Sequence, residues 1–145
     1  MESLTTANVL VVAHRTAATP ALLEAVRARA AQGLAQFHLL VPNPAEADWH
    51  IHPHLEAGEA VLALALPLIE EAAGGFADGS VSTRHDPMDA IEEAVFAGDV
   101  DEIILSTLPR SVSVWLHVDL PRRVAHLGLP LTTVIAADRK AAAVA

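Results

Sequence analysis

Apolar residues first run unbroken over Val9-Leu10-Val11-Val12-Ala13, behind Asn8. A branched run of this length suits a strand buried on both faces of a parallel sheet. The period then changes. Leu22, Leu23, Val26 and Ala30 recur at helical spacing, Thr19 and Pro20 fit the N-cap and first helical position, and Gly33 marks the stop. Phe37-His38-Leu39-Leu40-Val41 reads as a second strand closed by Pro42-Asn43-Pro44, so strand, helix and strand form one right-handed crossover.

The segment 43–57 carries prolines, Trp49 and three histidines without apolar periodicity, and is expected to be a long His-rich loop. From Gly58 to Ala73 the Ala/Glu content and the length predict a helix ended by Gly74-Gly75, with Pro67 kinking it or opening a second helix. Ser80-Val81-Ser82-Thr83-Arg84 is half-polar and predicts an edge strand. Asp86-Pro87 opens the next helix, whose buried stripe is Met88, Ile91 and Val95 before Gly98. Asp101 to Leu105 predicts a buried strand, and Ser106 to Ser111 a polar loop after it. Trp115, Leu116, Leu120, Val124 and Leu127 continue helically, with Asp119 capping before Pro121, and Leu129 to Ile135 supplies a fifth strand. Strands alternating with helices predict an α/β protein with a doubly wound five-stranded sheet and helices on both faces.

Composition narrows the function classes. The 145 residues, 52% of them apolar, suit a single domain over 1–145. The formal charge of −9 and the scattered arginines argue against nucleic acid or an anionic membrane surface as partner. Cysteine is absent, which removes thiolate chemistry and disulfides. The longest apolar stretch, Ala60 to Ile69, is far short of the ~20 residues that cross a bilayer. No basic residue precedes the first apolar run, so a cytoplasmic location is expected.

Over nearly the whole chain the order of elements resembles the universal stress protein family. The resemblance rests on the Asn8 to Ala13 strand, the Asp86-Pro87-x-x-Ala90-Ile91 helix start and the closing Leu129-Pro130-Leu131-Thr132-Thr133-Val134. It implies strand order 3-2-1-4-5, a ligand cleft between strands 1 and 4, and dimerisation through the fifth strand. The ATP-binding branch of that family carries Gly-x-x-Gly and, further on, Gly-Ser or Gly-Thr after the fourth strand. Here Ser106-Thr107-Leu108-Pro109-Arg110-Ser111-Val112-Ser113 has no glycine, the place of Gly-Ser reads Leu116-His117-Val118-Asp119, and Ala13-His14-Arg15-Thr16 replaces the usual acidic residue after strand 1.

A phosphate favours a helix N-terminus with free N–H groups, but Asp119 is expected to satisfy one such donor and repel an anion, and Pro121 has no N–H. Arg15, Arg110, Arg122 and Arg123, with Ser106, Thr107, Ser111 and Ser113, offer a different set of anion partners unless the arginines pair with acids. The chain therefore reads as a binding or regulatory module without the standard ATP loop. Its cleft residues are His14, Arg15 and Thr16 after strand 1, Val41 after strand 2, and Ser106, Thr107, Arg110 and Ser111 after strand 4. Val41 would meet a base-like ring, and the arginines and hydroxyls an anionic group. No cofactor is required by this reading, while the resemblance keeps ATP or AMP open.

Two further constellations stand out. His50, His52 and His54, between Asp48 and Glu56, have the alternate spacing that can converge on zinc, nickel or copper, but Pro53 interrupts them, and a loop or lid over the cleft is the simpler reading. His14, His85 and His117 fall at element ends, where an acid or base would sit in a small hydrolase or transferase; no sequence-defined nucleophile accompanies them. The Trp115, Leu116 and Leu120 stripe is expected to be core. The last strand carries little charge, as an edge that pairs with a second copy would.

Overall fold

The apolar run behind Asn8 is the middle strand of the sheet. A computed structural model describes residues 6–14, 16–42, 54–84, 86–108 and 119–136, with 54–57 described in backbone alone. In chain order the elements are β1 (Ala7–Val12), α1 (Pro20–Ala30), β2 (Ala35–Val41), α2 (His54–Ala73), β3 (Ala77–Val81), α3 (Pro87–Ala97), β4 (Glu102–Thr107), α4 (Leu120–Ala125) and β5 (Leu131–Ile135). All strand pairs are parallel and the order is β3-β2-β1-β4-β5. The chain winds outward from β1 to β3, then returns to β4 on the other side. The connections therefore diverge between β1 and β4, where open α/β sheets form their crevice.

The period-2 alternation of the strands divides the core into two layers. Val9, Val11, Phe37, Leu39 and Ile104 face Leu22 and Val26 of α1 and Ala65 and Ile69 of α2. Leu10, Val12, Leu40, Ile103 and Leu105 face Met88 and Ile91 of α3 and Leu120 and Val124 of α4. Each fully buried aliphatic side chain contributes about 1.5–3 kcal/mol, which explains why β1 is apolar on both faces. Helix starts follow the sequence signals. Thr19 Oγ1 accepts from Leu22 N–H and Asp86 Oδ1 from Met88 N–H at 2.8 Å, each ahead of a proline at the first helical position. No helix among the described residues is long and apolar enough to cross a membrane.

Several features differ from the sequence reading, and two share one cause. The helix expected from Gly58 starts at His54, so the last residues of the expected 43–57 loop are helical. Gly58 is no boundary: a Cβ there would stand 2.8 Å from Val81 Cγ1, so the glycine lets α2 settle onto β3. The edge strand expected at 80–84 occupies Ala77–Val81, because Gly79 is a close-approach residue inside the strand and not a break. A Cβ on Gly79 would lie 2.5 Å from Leu62 Cδ1 and 2.8 Å from the Leu39 carbonyl oxygen. Both glycines are read correctly only once α2 is known to pack on β3. Pro67 lies within α2, which continues through it as one helix.

Two further differences concern β4 and α4. Ser106 and Thr107, expected in a loop, are the last two residues of β4, paired with Val134 and Ile135 of β5. Asp119 precedes α4, but its side chain makes no capping bond; its backbone is left-handed with φ 59°, and the carboxylate lies 3.6 Å from Arg122 Nη1.

A candidate ligand cleft at the β1–β4 divergence

β1 ends at Val12, and the chain turns through His14 and Thr16 to reach Thr19, the cap of α1. The turn is tightly bonded. Ala17 N–H donates to the His14 carbonyl at 3.3 Å, and the Thr16 carbonyl accepts from Thr19 N–H at 3.1 Å and from Thr19 Oγ1 at 2.9 Å. These bonds hold the Thr16 side chain over the end of β4, where Thr16 Oγ1 and Ser106 Oγ share a hydrogen bond of 2.6 Å. The two residues are only 2% and 1% exposed. One hydroxyl proton is used in that bond, so the pair retains one more O–H to donate and lone pairs to accept, in a place shielded from water. Thr107, also buried, donates from Oγ1 to the Leu108 carbonyl at 3.0 Å, and its own carbonyl accepts from Ala136 N–H. His14 is half-buried with Nε2 shielded from solvent.

The structure thus brings Thr16 and Ser106 together and sets His14 and Thr107 beside them in sequence and strand order. Val41 lies elsewhere in character: it is fully buried in the core, and its carbonyl accepts from Ser82 N–H at 2.9 Å. Arg15, Arg110 and Ser111 lie outside the described residues, as do His50, His52, His85, Ser113, Trp115, Leu116 and His117. The backbone of His54 opens α2. Among the described residues no group of three or more His, Asp or Glu side chains is placed to hold a metal.

Two of the four arginines named as anion partners fall within the described residues, and each stands beside a carboxylate. Arg122 lies 3.6 Å from Asp119 and Arg123 3.6 Å from Asp86, both as exposed pairs. Arg84 pairs with Glu93 in a shallow cleft of about 470 Å³ lined also by Thr83, Asp86 and Asp89, three of whose five lining residues are acidic.

Two polar constellations escape a sequence reading. At the N-terminal end of β4, Arg29 of α1 donates from Nε and Nη2 to the two carboxylate oxygens of Glu102, at 2.8 and 2.9 Å. This bidentate bond raises the Arg29 pKa despite partial desolvation. On the sheet face, His38 of β2 bridges Asp78 and Ser80 of β3. The only sequence signal for either is the polar residue at every second position in Asp78-Gly79-Ser80, which becomes informative once the β2–β3 register is known.

No family model and no curated protein matches the chain. Solved structures do. The universal stress protein from Archaeoglobus fulgidus superposes with a TM-score of 0.65 at 12% identity, over 88% of this chain and 93% of that one. The same organism's universal stress protein in complex with dAMP gives 0.60 at 13% identity, over 91% and 99%. The hypothetical protein PH0823 gives 0.61 at 14% identity, over 92% and 98%. Sequence identity this low carries the architecture alone; the chain has the universal stress protein fold.

Proposed function

We propose that this protein is a small-ligand-binding module on a universal stress scaffold, with the ligand seated where β1 and β4 diverge and without the glycine-rich phosphate loop. The observation that carries this reading is the buried Thr16–Ser106 hydroxyl pair. A hydroxyl pair gains little over an apolar one at two strand ends, because each group gives up water for a bond worth only about 1 kcal/mol net. An apolar pair would serve packing equally well. Polar groups kept at the divergence point of an open sheet are the kind that orient a ligand.

Adenine nucleotide is the specific ligand favoured second, since a neighbour of the same fold is a complex with dAMP. On this reading the hydroxyl pair braces the ends of β1 and β4 that flank the ligand, and Arg15 and Arg110 supply positive charge. The β5 edge completes the proposal: Ile135 is 52% exposed on a strand open to a second copy, which supports a homodimer.

Thermal denaturation with AMP, dAMP, ATP and inorganic phosphate, with and without Mg²⁺, tests the reading. A ligand at 100 times its Kd stabilises by about 2.7 kcal/mol. At least one of these probes is expected to stabilise the protein, and Ser106→Ala to weaken that effect. Equal stabilisation of wild type and variant would place the ligand elsewhere and refute the assignment of this cleft.

A further inference from the structure

The open face of β2 and β3 carries a second arrangement, independent of the cleft. His38 and Asp78 are opposite each other in register, and Ser80 stands two residues further along the same face of β3. His38 Nδ1 is 2.7 Å from Asp78 Oδ1, and His38 Nε2 is 2.9 Å from Ser80 Oγ. A carboxylate only accepts, so the contact with Asp78 places a proton on Nδ1. In the tautomer protonated on Nδ1 alone, Nε2 carries the lone pair that accepts from the Ser80 hydroxyl. That is a nucleophile bonded to a base, and the base held by a third group. We infer that Ser80, His38 and Asp78 form an acyl-transfer site that takes small activated esters.

The scaffold favours this role. Asp78 and Ser80 flank Gly79, whose missing side chain presses the opposite face of β3 against Leu62 and Leu39. The strand is therefore seated firmly from beneath, while the chemistry-bearing side chains point outward. His38 is held between β1 and β3 by its register with Leu10 and Asp78. The His38 and Asp78 side chains are 39% and 60% exposed, so an ester reaches them from solvent.

In the reaction, the Ser80 Oγ–C bond forms as the hydroxyl proton passes to His38 Nε2. The ester C–O bond breaks as that proton moves to the departing alcohol. Water then repeats the exchange, giving its proton to Nε2 and releasing the carboxylic acid as Ser80 regains the proton. One component of efficient serine hydrolases is missing. Ser82 N–H donates to the Val41 carbonyl, and the alternation of a parallel ladder turns the Ser80 N–H toward β2 as well. The serine's own amide is thus committed to the sheet, and turnover loses the roughly 10²–10³-fold that one oxyanion donor supplies. Esters with good leaving groups are the substrates such a site can use.

The test is covalent labelling of the full chain with a fluorophosphonate probe, mapped by mass spectrometry, alongside p-nitrophenyl acetate hydrolysis. A single adduct on Ser80 is expected, absent in Ser80→Ala. His38→Gln should slow labelling by roughly 10²-fold or more, the usual worth of a general base. Asp78→Asn, a positioning change, should lower kcat for the ester while leaving KM unchanged. All three residues are on the surface, and unchanged urea midpoints would show the variants folded. An adduct confined to other residues, or His38→Gln labelling at the wild-type rate, would overturn the inference.

Discussion

Replacing Thr16 by Val removes one hydroxyl from the buried pair at nearly constant shape, and Ser106→Ala removes the other. Their Oγ–Oγ distance is 2.6 Å and both residues are at most 2% exposed, so neither hydroxyl left alone gains compensating water. Each single change leaves one buried hydroxyl without its bond, which costs about 1–3 kcal/mol beyond ordinary repacking. The double variant leaves no stranded group, so its cost should fall to about 1 kcal/mol, well under the sum of the singles. For a chain of this size that means a fall in Tm of roughly 3–9 °C for each single variant and about 3 °C for the pair. Urea unfolding of all four proteins gives the coupling directly, expected at about 2–3 kcal/mol in favour of the double variant. Additive losses would show that the hydroxyls act independently, and would remove the ground for treating them as one ligand-facing unit.

Three further outcomes follow from other contacts. Gly79→Ala should destabilise by about 1–3 kcal/mol in urea unfolding, since the new Cβ meets the Leu39 carbonyl, which cannot swing away; Leu62→Ala should therefore rescue only part of the loss. Arg29→Met leaves the 24%-exposed Glu102 without its bidentate donor, and should cost about 1–3 kcal/mol. Because the folded pKa of Arg29 is raised, the stabilisation is fully present below the unfolded value and would be lost only as pH rises through the folded one. That is strongly alkaline, so the wild-type-to-variant gap should stay constant from pH 5 to 9. Ile135→Lys should convert the proposed dimer to a monomer in light scattering at micromolar concentration, with a monomeric wild type refuting the β5 pairing.

The fold was legible because its signals are local. Apolar runs of strand length, the Thr19-Pro20 and Asp86-Pro87 starts and the glycine stops each report on a few consecutive residues. The strand order came from the resemblance, which those elements had to support in sequence. What stayed illegible depends on residues far apart. Gly58 and Gly79 look like punctuation until α2 lies on β3, and Asp78 and Ser80 look like a weak edge until His38 falls opposite them. In the cleft, Thr16 and Ser106 could be named from their places at strand ends, but not their mutual bond, which spans 90 positions. Asp119 shows the opposite failure: the right residue for a cap stands at the right place, yet its left-handed backbone and Arg122 turn the carboxylate away from the helix amides.

The pairing of the arginines bears on which ligand the proposed cleft would prefer. All five arginines among the described residues lie 2.8 to 3.6 Å from a carboxylate. The four exposed pairs are worth little individually, but each offsets part of a charge that an anion would otherwise meet. The chain as a whole carries −9, so its long-range field opposes the approach of polyanions. The described part of the cleft offers hydroxyls and peptide groups, which suit neutral or singly charged parts of a ligand. On the proposed reading, Arg15 and Arg110 would have to balance much of a triphosphate's charge. A glycine-cradled phosphate loop gains affinity with each added phosphate; on the proposed reading this protein should show the reverse order, with AMP or dAMP binding at least as tightly as ATP, and the gap narrowing as salt screens the net charge.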